Sequence, residues 1–323
     1  MPGSTVSVFG EPDDYVAALR ADAGVDFLVT GRGEFRGRLT RIALDRMSLV
    51  SGEEILSRIA FIRLDPRMVR VSLPVRDGAS LFWGGIAAQP GEIVTHGPGH
   101  SLHERTDGPC RWRVIWLPAV ELARHARAMS GAALDIPAGA YRWRPTPGAL
   151  WFLTSLYDDA MRASKVHPEL AAGAKAARGL EQQVIAALIE CLQVKVANLG
   201  GPARLSHARI MDRFESVLRD YPGSNLSLDE ISATIGIPSR TLRALCRLNL
   251  GMGPLRYIRL RRMQLAHREL QDADADVARV SDVARRHGFP ALGRFAAAYR
   301  EQFGELPSAT LHNCARGGAE RAY

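Results

Sequence analysis

Lysine is nearly missing from this chain of 323 residues: of its 42 basic residues only Lys165, Lys175 and Lys195 are lysines. Arginine in their place favours bidentate contacts to phosphate and guanine, although wholesale arginine usage equally fits a GC-rich genome. Cysteine is scarce as well. Cys110, Cys191, Cys246 and Cys314 stand far apart with no CxxC pair, which excludes a zinc knuckle or a disulfide scaffold. Long apolar runs are absent. The most apolar stretch, Val184–Val196, is short and carries Glu190 and Lys195, so no bilayer-spanning helix is expected. The opening MPGSTVSVFGEPDD lacks a basic stretch followed by an apolar one, so no secretory signal is expected and the location is read as cytoplasmic. No nucleophile–base pair, glycine-rich phosphate loop or paired carboxylate stands out; Gly84–Gly85 and Gly91 read as turns. The chain is therefore expected to have no catalytic residue, no cofactor and no metal, and not to be an enzyme.

A hydrophobic fraction of 46% and a charged fraction of 24% fit a folded chain of two or three domains. The net charge is +8 and the isoelectric point about 9.7, which permits a polyanionic partner. Most of the excess lies at one end. Residues 201–323 hold 19 arginines, no lysine and 13 acidic residues, a local charge of +6.

Residues 24–118 read as β-rich. FLVT (27–30), RVSLPV (70–75), SLFWGGI (80–86), EIVTHG (92–97) and WRVIWLP (112–118) are short runs bounded by Gly, Pro and Asp, the pattern of a sandwich or small barrel. All five tryptophans fall within the first 151 residues. Segments 119–130, 147–163 and 168–196 carry apolar residues at helical spacing. The stripe Leu180, Val184, Leu188, Ile189 and Leu192 suits packing within its own domain or on a second subunit equally. Residues 199–206 read as a linker on their Gly-Gly-Pro breaker. Beyond them the pattern is all helical to 312, and 313–323 reads as a frayed tail.

The C-terminal third repeats itself. Ile231, Gly236, Ile237 and Pro238 recur as Val283, Gly288, Phe289 and Pro290, offset by 52. Leu242, Leu250, Gly251 and Pro254 recur as Phe295, Phe303, Gly304 and Pro307, offset by 53. Each copy reads as a helix, a turn whose glycine permits positive φ, and a second helix. That is the grammar of a helix-turn-helix, whose second helix enters the DNA major groove. A linking helix over 254–271 would be about 27 Å long, against about 34 Å for one DNA turn, so either bent DNA or one imperfectly docked helix is expected.

Residues 206–312 resemble the AraC/XylS family of bacterial transcription regulators. The resemblance is carried by VSDVARRHGF, RFAAAYREQFG and LPS in the second copy and by GPLRYIRLRRMQLAHREL between the copies. More weakly, the β-rich half is similar to the family's cupin-like sensor domain. The resemblance implies an α+β chain: a cupin-like jelly roll with helices over 1–198 that senses an effector and dimerises, then a DNA-binding domain over 207–312. It implies double-stranded DNA as partner, together with RNA polymerase, a small-molecule effector and a second copy of the chain, and no membrane. Pro238 and Pro290 depart from the family, which often places a Ser or Asp helix cap there. Ser239 is expected to cap the first helix instead, whereas Ala291 cannot cap the second. Cys246 replaces a core aromatic, so a looser contact is expected.

Leu242 and Leu245 facing inward put Arg240, Thr241 and Arg243 on the exposed side, where arginine reads guanine through O6 and N7. The second copy exposes Ala291, Leu292, Gly293, Arg294 and Ala297, with Arg294 as its one reader. The DNA-contacting set is thus Ser239, Arg240, Thr241, Arg243, Arg247, Arg262, Arg286, Arg294 and Arg300. Arg259, Arg261, Arg262 and Arg268 on the linking helix touch phosphate or pair with acids such as Glu269; the spacing does not choose. His96, His100 and His103 could ligate a metal, but pocket or surface histidines are the default. Arg32 and Arg36, with Asp45, Ser48 and Gly52, only loosely match a cyclic-dinucleotide motif. Two rival functions follow: a cupin-type metal enzyme fused to a DNA-binding module, resting on the histidines, and a non-specific architectural DNA binder.

Overall fold

The computed structural model describes residues 2–312 apart from 76–77, 132–133, 135, 137, 167–172, 194, 199–201, 223–225 and 275–276. The start of the expected linker and the whole expected tail lie outside the described residues. The chain divides into two compact units, 1–27 with 35–208 and 28–34 with 209–323.

The first unit is the expected β-rich body. One antiparallel sheet runs β1 (Gly3–Phe9), β3 (Gly37–Ala43), β4 (Ser48–Glu54), β11 (Cys110–Pro118), β6 (Met68–Leu73), β9 (Ile93–His96), β12 (Ala140–Trp143) and β13 (Lys195–Asn198). The other runs β2 (Gly24–Val29), β5 (Arg58–Arg63), β10 (Ser101–Thr106), β7 (Leu81–Trp83) and β8 (Ile86–Ala87). A short helix, α1 (Pro12–Leu19), starts with Pro at its first position and Asp13 and Asp14 in its first turn, a favourable arrangement at the positive end of a helix. Helices α2 (Ala119–Ser130), α3 (Pro147–Val166) and α4 (Ala174–Cys191) join the larger sheet in one core, in which Leu49, Val71, Ile115, Leu153, Val184 and Leu188 are buried. The Leu180–Leu192 stripe thus packs inside its own unit. The helix expected over 168–196 stops at Cys191, because residues 195–198 pair with β12 and extend the sheet.

Alternation along the strands sends Val69, Val71 and Leu73 towards the helices and Arg70 towards the other sheet. Between the sheets lies a buried ionic ladder. Arg58 donates through Nε to Glu54 Oε2 at 2.8 Å and through Nη2 to Glu104 Oε1 at 2.6 Å. Arg70 Nη2 donates to Glu104 Oε2 at 2.6 Å. Tyr15 Oη and Trp112 Nε1 donate to Glu54, each at 2.8 Å, and Trp83 Nε1 to Glu104 at 2.9 Å. Burial alone would raise Glu104, but Arg70 and Arg58 outweigh it and hold the carboxyl down at about 2.

Gly52 sits directly beneath Trp112, and a Cβ there would collide with the indole. Gly52→Ala should therefore displace Trp112 from Glu54 and cost about 1–3 kcal/mol as an overpacked core. Urea unfolding followed by tryptophan emission checks this; an unchanged midpoint would show that the ring moves freely.

The second unit contains α5 (Pro202–Asp220), α6 (Leu228–Ile235), α7 (Ser239–Leu250), α8 (Pro254–Asp272), α9 (Val280–Arg286) and α10 (Leu292–Phe303). No helix of the described residues is long and apolar enough to cross a membrane.

Candidate nucleic-acid interface

Helix α6 is fixed at its start by a reciprocal cap: Ser227 Oγ accepts from the Glu230 amide at 3.2 Å, and Glu230 Oε2 accepts from the Ser227 amide at 2.7 Å. It ends at Gly236 with φ +79, a conformation that glycine adopts without strain. Gly288, with φ +78, makes the same turn between α9 and α10. The duplicated positions carry matching structural duties. Ile231 and Val283 are buried, as are Leu242 and Phe295. Gly251 and Gly304 close α7 and α10 in the left-handed conformation. Ser227→Ala should cost about 1 kcal/mol, read as a lower midpoint for the helical circular-dichroism signal; no change would mean that packing alone sets this terminus.

Ser239 does not cap α7. The helix starts at Ser239 itself, with Pro238 at the cap position and no side-chain cap. Ser239 Oγ instead donates to Asp229 Oδ1 of α6 at 2.5 Å, tying the two helices together. The sequence reading missed Asp229, whose partner lies across the turn. Ala291 holds the corresponding cap position of α10 and likewise provides none.

On α7 Arg240, Arg243 and Arg247 are exposed and Thr241 is half-buried, while Leu242, Leu245 and Cys246 form the inner face. On α10 Arg294 and Arg300 are exposed over buried Phe295 and Tyr299. None of these five arginines has an ion-pair partner among the described residues. They are cationic side chains that the fold leaves uncommitted. The helices differ at equivalent places. Where α7 carries Arg240 and Arg243, α10 carries Gly293 and Ala296.

The other expected contacts sit differently. Arg262 is half-buried and lines a small cavity with Leu218, Ile231 and Ile258; burial lowers its pKa. Arg261 turns to Glu215, a buried carboxylate of α5, at 2.6 Å, and Tyr257 Oη donates to the same residue at 2.7 Å. Arg286 is exposed but held by Glu269 at 2.8 Å, and His287 Nε2 meets the other oxygen of Glu269 at 2.6 Å.

Cys246 is fully buried, and burial pushes its thiol up to about 12. Its counterpart Tyr299 builds a polar aromatic cluster instead. Its hydroxyl lies 2.5 Å from His267 Nδ1 and donates to Thr310 Oγ1 at 2.8 Å, while His267 stacks on Phe303 at 4.0 Å between ring centres.

His96, His100 and His103 lie in the first unit, two of them on its strands. His96 belongs to β9 and His103 to β10; both are buried. His100 stacks on His96 at 5.7 Å, and His103 lies tilted against Phe61 at 4.8 Å between ring centres. Among the described residues no three His, Cys, Asp or Glu side chains are grouped to hold a metal.

Residues 231–313 match a family model described as a helix-turn-helix domain. The XylDLEGF operon transcriptional activator of Pseudomonas putida is 39% identical over 90 residues, which are 28% of each chain. XylDLEGF operon transcriptional activator 1 of the same organism also aligns at 28% identity over 242 residues, covering 71% of this chain and 69% of that protein. A solved structure, that of a probable AraC family transcriptional regulator from Rhodopseudomonas palustris, is 29% identical over 33% of this chain and 97% of its own, with a TM-score of 0.30. Matched turn glycines, matched core positions and the family model agree: the carboxy-terminal third of this chain is a helix-turn-helix domain of the AraC/XylS type.

Proposed function

We propose that the protein is a cytoplasmic, effector-responsive transcription regulator that binds specific double-stranded DNA. The observation that carries this reading is the tandem pair of helix-turn-helix units, each presenting exposed arginines without acidic partners. Helices α7 and α10 enter successive major-groove segments on one side of the duplex. Arg240, Thr241 and Arg243 read bases, with Arg294 as the lesser reader, and Arg247 and Arg300, at equivalent places on the two helices, grip phosphate. Ser239, Arg262 and Arg286 support that surface. Residues 1–198 sense a small molecule and dimerise the chain, 199–206 join the domains, and 207–312 bind DNA. The names of the relatives support action on transcription, with RNA polymerase as a further partner. The chain is not read as an enzyme.

A fragment of residues 205–323 should select a defined sequence from a random DNA pool and retain its affinity when an effector of the full chain is added. Equal affinity for random and selected DNA at physiological salt would instead favour an architectural binder.

A further inference from the structure

Among the described residues, β1 and β13 end the larger sheet of the first unit, and β2 and β8 end the smaller. An open edge presents unpaired N–H and C=O groups, and folded chains blunt it with charge, proline, a bulge or shortness. Three of these edges follow that rule. β13 carries Lys195, β2 carries Asp26, and β8 is a strand of 2 residues. β1 does not. It runs 7 residues as GSTVSVF, without charge or proline. Its register with β3 is unbroken from Gly3 to Phe9, so no bulge turns the edge away.

The side chains along this edge are as bare as its backbone. Residues directly opposite in an antiparallel pair share a face. Ser4 stands opposite Ile42, which belongs to the core shared with the helices. Alternation puts Val6 and Val8 on that same face, yet Val6 is 44% and Val8 69% exposed. Thr5, on the other face, is exposed too. Exposure on both faces leaves the outer side of the strand open.

Such an edge calls for one more strand, bound by main-chain hydrogen bonds with side chains for register. An acidic or basic peptide would meet no counter-charge along Gly3–Phe9, whereas a second copy of that segment carries no charge to satisfy. An antiparallel edge is also self-complementary, because a two-fold rotation brings its donors onto its own acceptors. We infer that β1 pairs with β1 of a second copy, antiparallel about a two-fold axis at Ser7, which joins two eight-stranded sheets. In this register Val6 stands opposite Val8 of the partner subunit on either side of the axis. Both exposed valines of each copy are then covered by cross-strand β-branched pairs; an axis one residue earlier would oppose Val8 to a serine. The seam is short, so the pair is weak and depends on concentration. The inference rests on the regulatory reading above and names the surface through which residues 1–198 dimerise.

Sedimentation velocity of the full-length protein over about 1–200 µM, a range suited to so short a seam, should show monomer converting to dimer. Val6→Lys combined with Val8→Lys sets like charges directly opposite one another across the axis and should raise the dissociation constant at least about 10-fold. Both positions are exposed, so the unfolding midpoint should hold. Cross-linking tests the register and decides the matter even if that variant unfolds. Cys110, Cys191 and Cys246 are buried, so a Cys314→Ser background leaves the new thiol as the reactive one. Ser7→Cys should then form a covalent dimer under mild oxidation, because a residue on the axis meets its own copy with Cα atoms about 4.5–5.5 Å apart, within disulfide reach. Val8→Cys lies off the axis, about 7–8 Å from its own copy, and should cross-link far more slowly. A monomer at the highest concentration overturns the inference. So does a dimer indifferent to the paired lysine changes, or cross-linking no faster for Ser7→Cys than for Val8→Cys. Binding-site selection is run on the same samples. Sequence selection by a protein that does not dimerise through β1 removes the inference alone, whereas a β1 dimer without DNA selection removes the regulatory reading.

Discussion

Replacing Arg240 or Arg243 by Ala is expected to flatten base preference in one half of the binding site while leaving the other half sharp. A bidentate arginine–guanine pair discriminates by about 1–3 kcal/mol, roughly 5- to 150-fold. Both side chains are exposed, lack acidic partners and project from a helix whose opposite face is locked by Leu242, Leu245 and Leu250. The equivalent positions of α10, Gly293 and Ala296, have no group that hydrogen-bonds a base edge, so the half-site under α10 should be the less specified. Arg247→Ala and Arg300→Ala should behave otherwise, weakening all sequences alike and reducing the salt slope by about 1 each. Binding-site selection with wild type and variants decides the matter. A site specified more sharply under α10, or an unchanged motif for both α7 variants, would refute this division of labour.

Arg58→Met should be the most damaging single change in the first unit. Arg58 lies at 2% exposure between two carboxylates. Its loss leaves Glu54 and Glu104 facing one guanidinium, and breaking such a buried pair from one side costs about 3–5 kcal/mol. The pH dependence carries a sign. Glu104 is held down at about 2 in the folded wild type, so its stabilisation is complete above the unfolded value near 4.5 and is lost as pH falls from there towards 2. In Arg58→Met Glu104 loses part of that hold, and its protonation relieves the defect. The gap in unfolding free energy between variant and wild type should therefore narrow from pH 8 to pH 5. A constant gap across that range would show that packing, not charge, is what Arg58 supplies.

The helix-turn-helix pair was readable because duplication doubles a weak local signal. A glycine followed two residues later by a proline is unremarkable once; found twice around matched apolar positions, it marks a fold. The β-rich half was legible only as a class. Five short runs matched strands, but β1, β3, β4, β5 and β10 went unmarked, since strands of six or seven residues with polar interiors, such as RLTRI or HER, show little alternation. The ladder was invisible for a different reason. Glu54 and Arg58 lie four apart, but Glu104 follows Arg58 by 46 positions and meets it only because β5 pairs with β10. Arg261 and Arg262 mislead in the same way. A basic helix suggests a phosphate grip, yet Glu215, 46 residues earlier, holds one of the two and burial claims part of the other.

Helix α8 belongs to both halves of the second unit. Tyr257 packs beside Phe214, and Ile258 shares a cavity wall with Ile231 near the first helix-turn-helix. Met263, Ala266 and Leu270 sit in the core of the second with Phe295 and Tyr299. A helix committed at both ends cannot act as a swivel. Its 19 residues measure about 28 Å, short of the roughly 34 Å of a DNA turn. If both recognition helices dock as proposed and the duplex bends to close the difference, the bases between the two half-sites would touch no side chain, yet their stiffness would enter the binding energy. The spacer of the operator would then become part of the recognised message, spelled in flexible pyrimidine–purine steps rather than in hydrogen bonds.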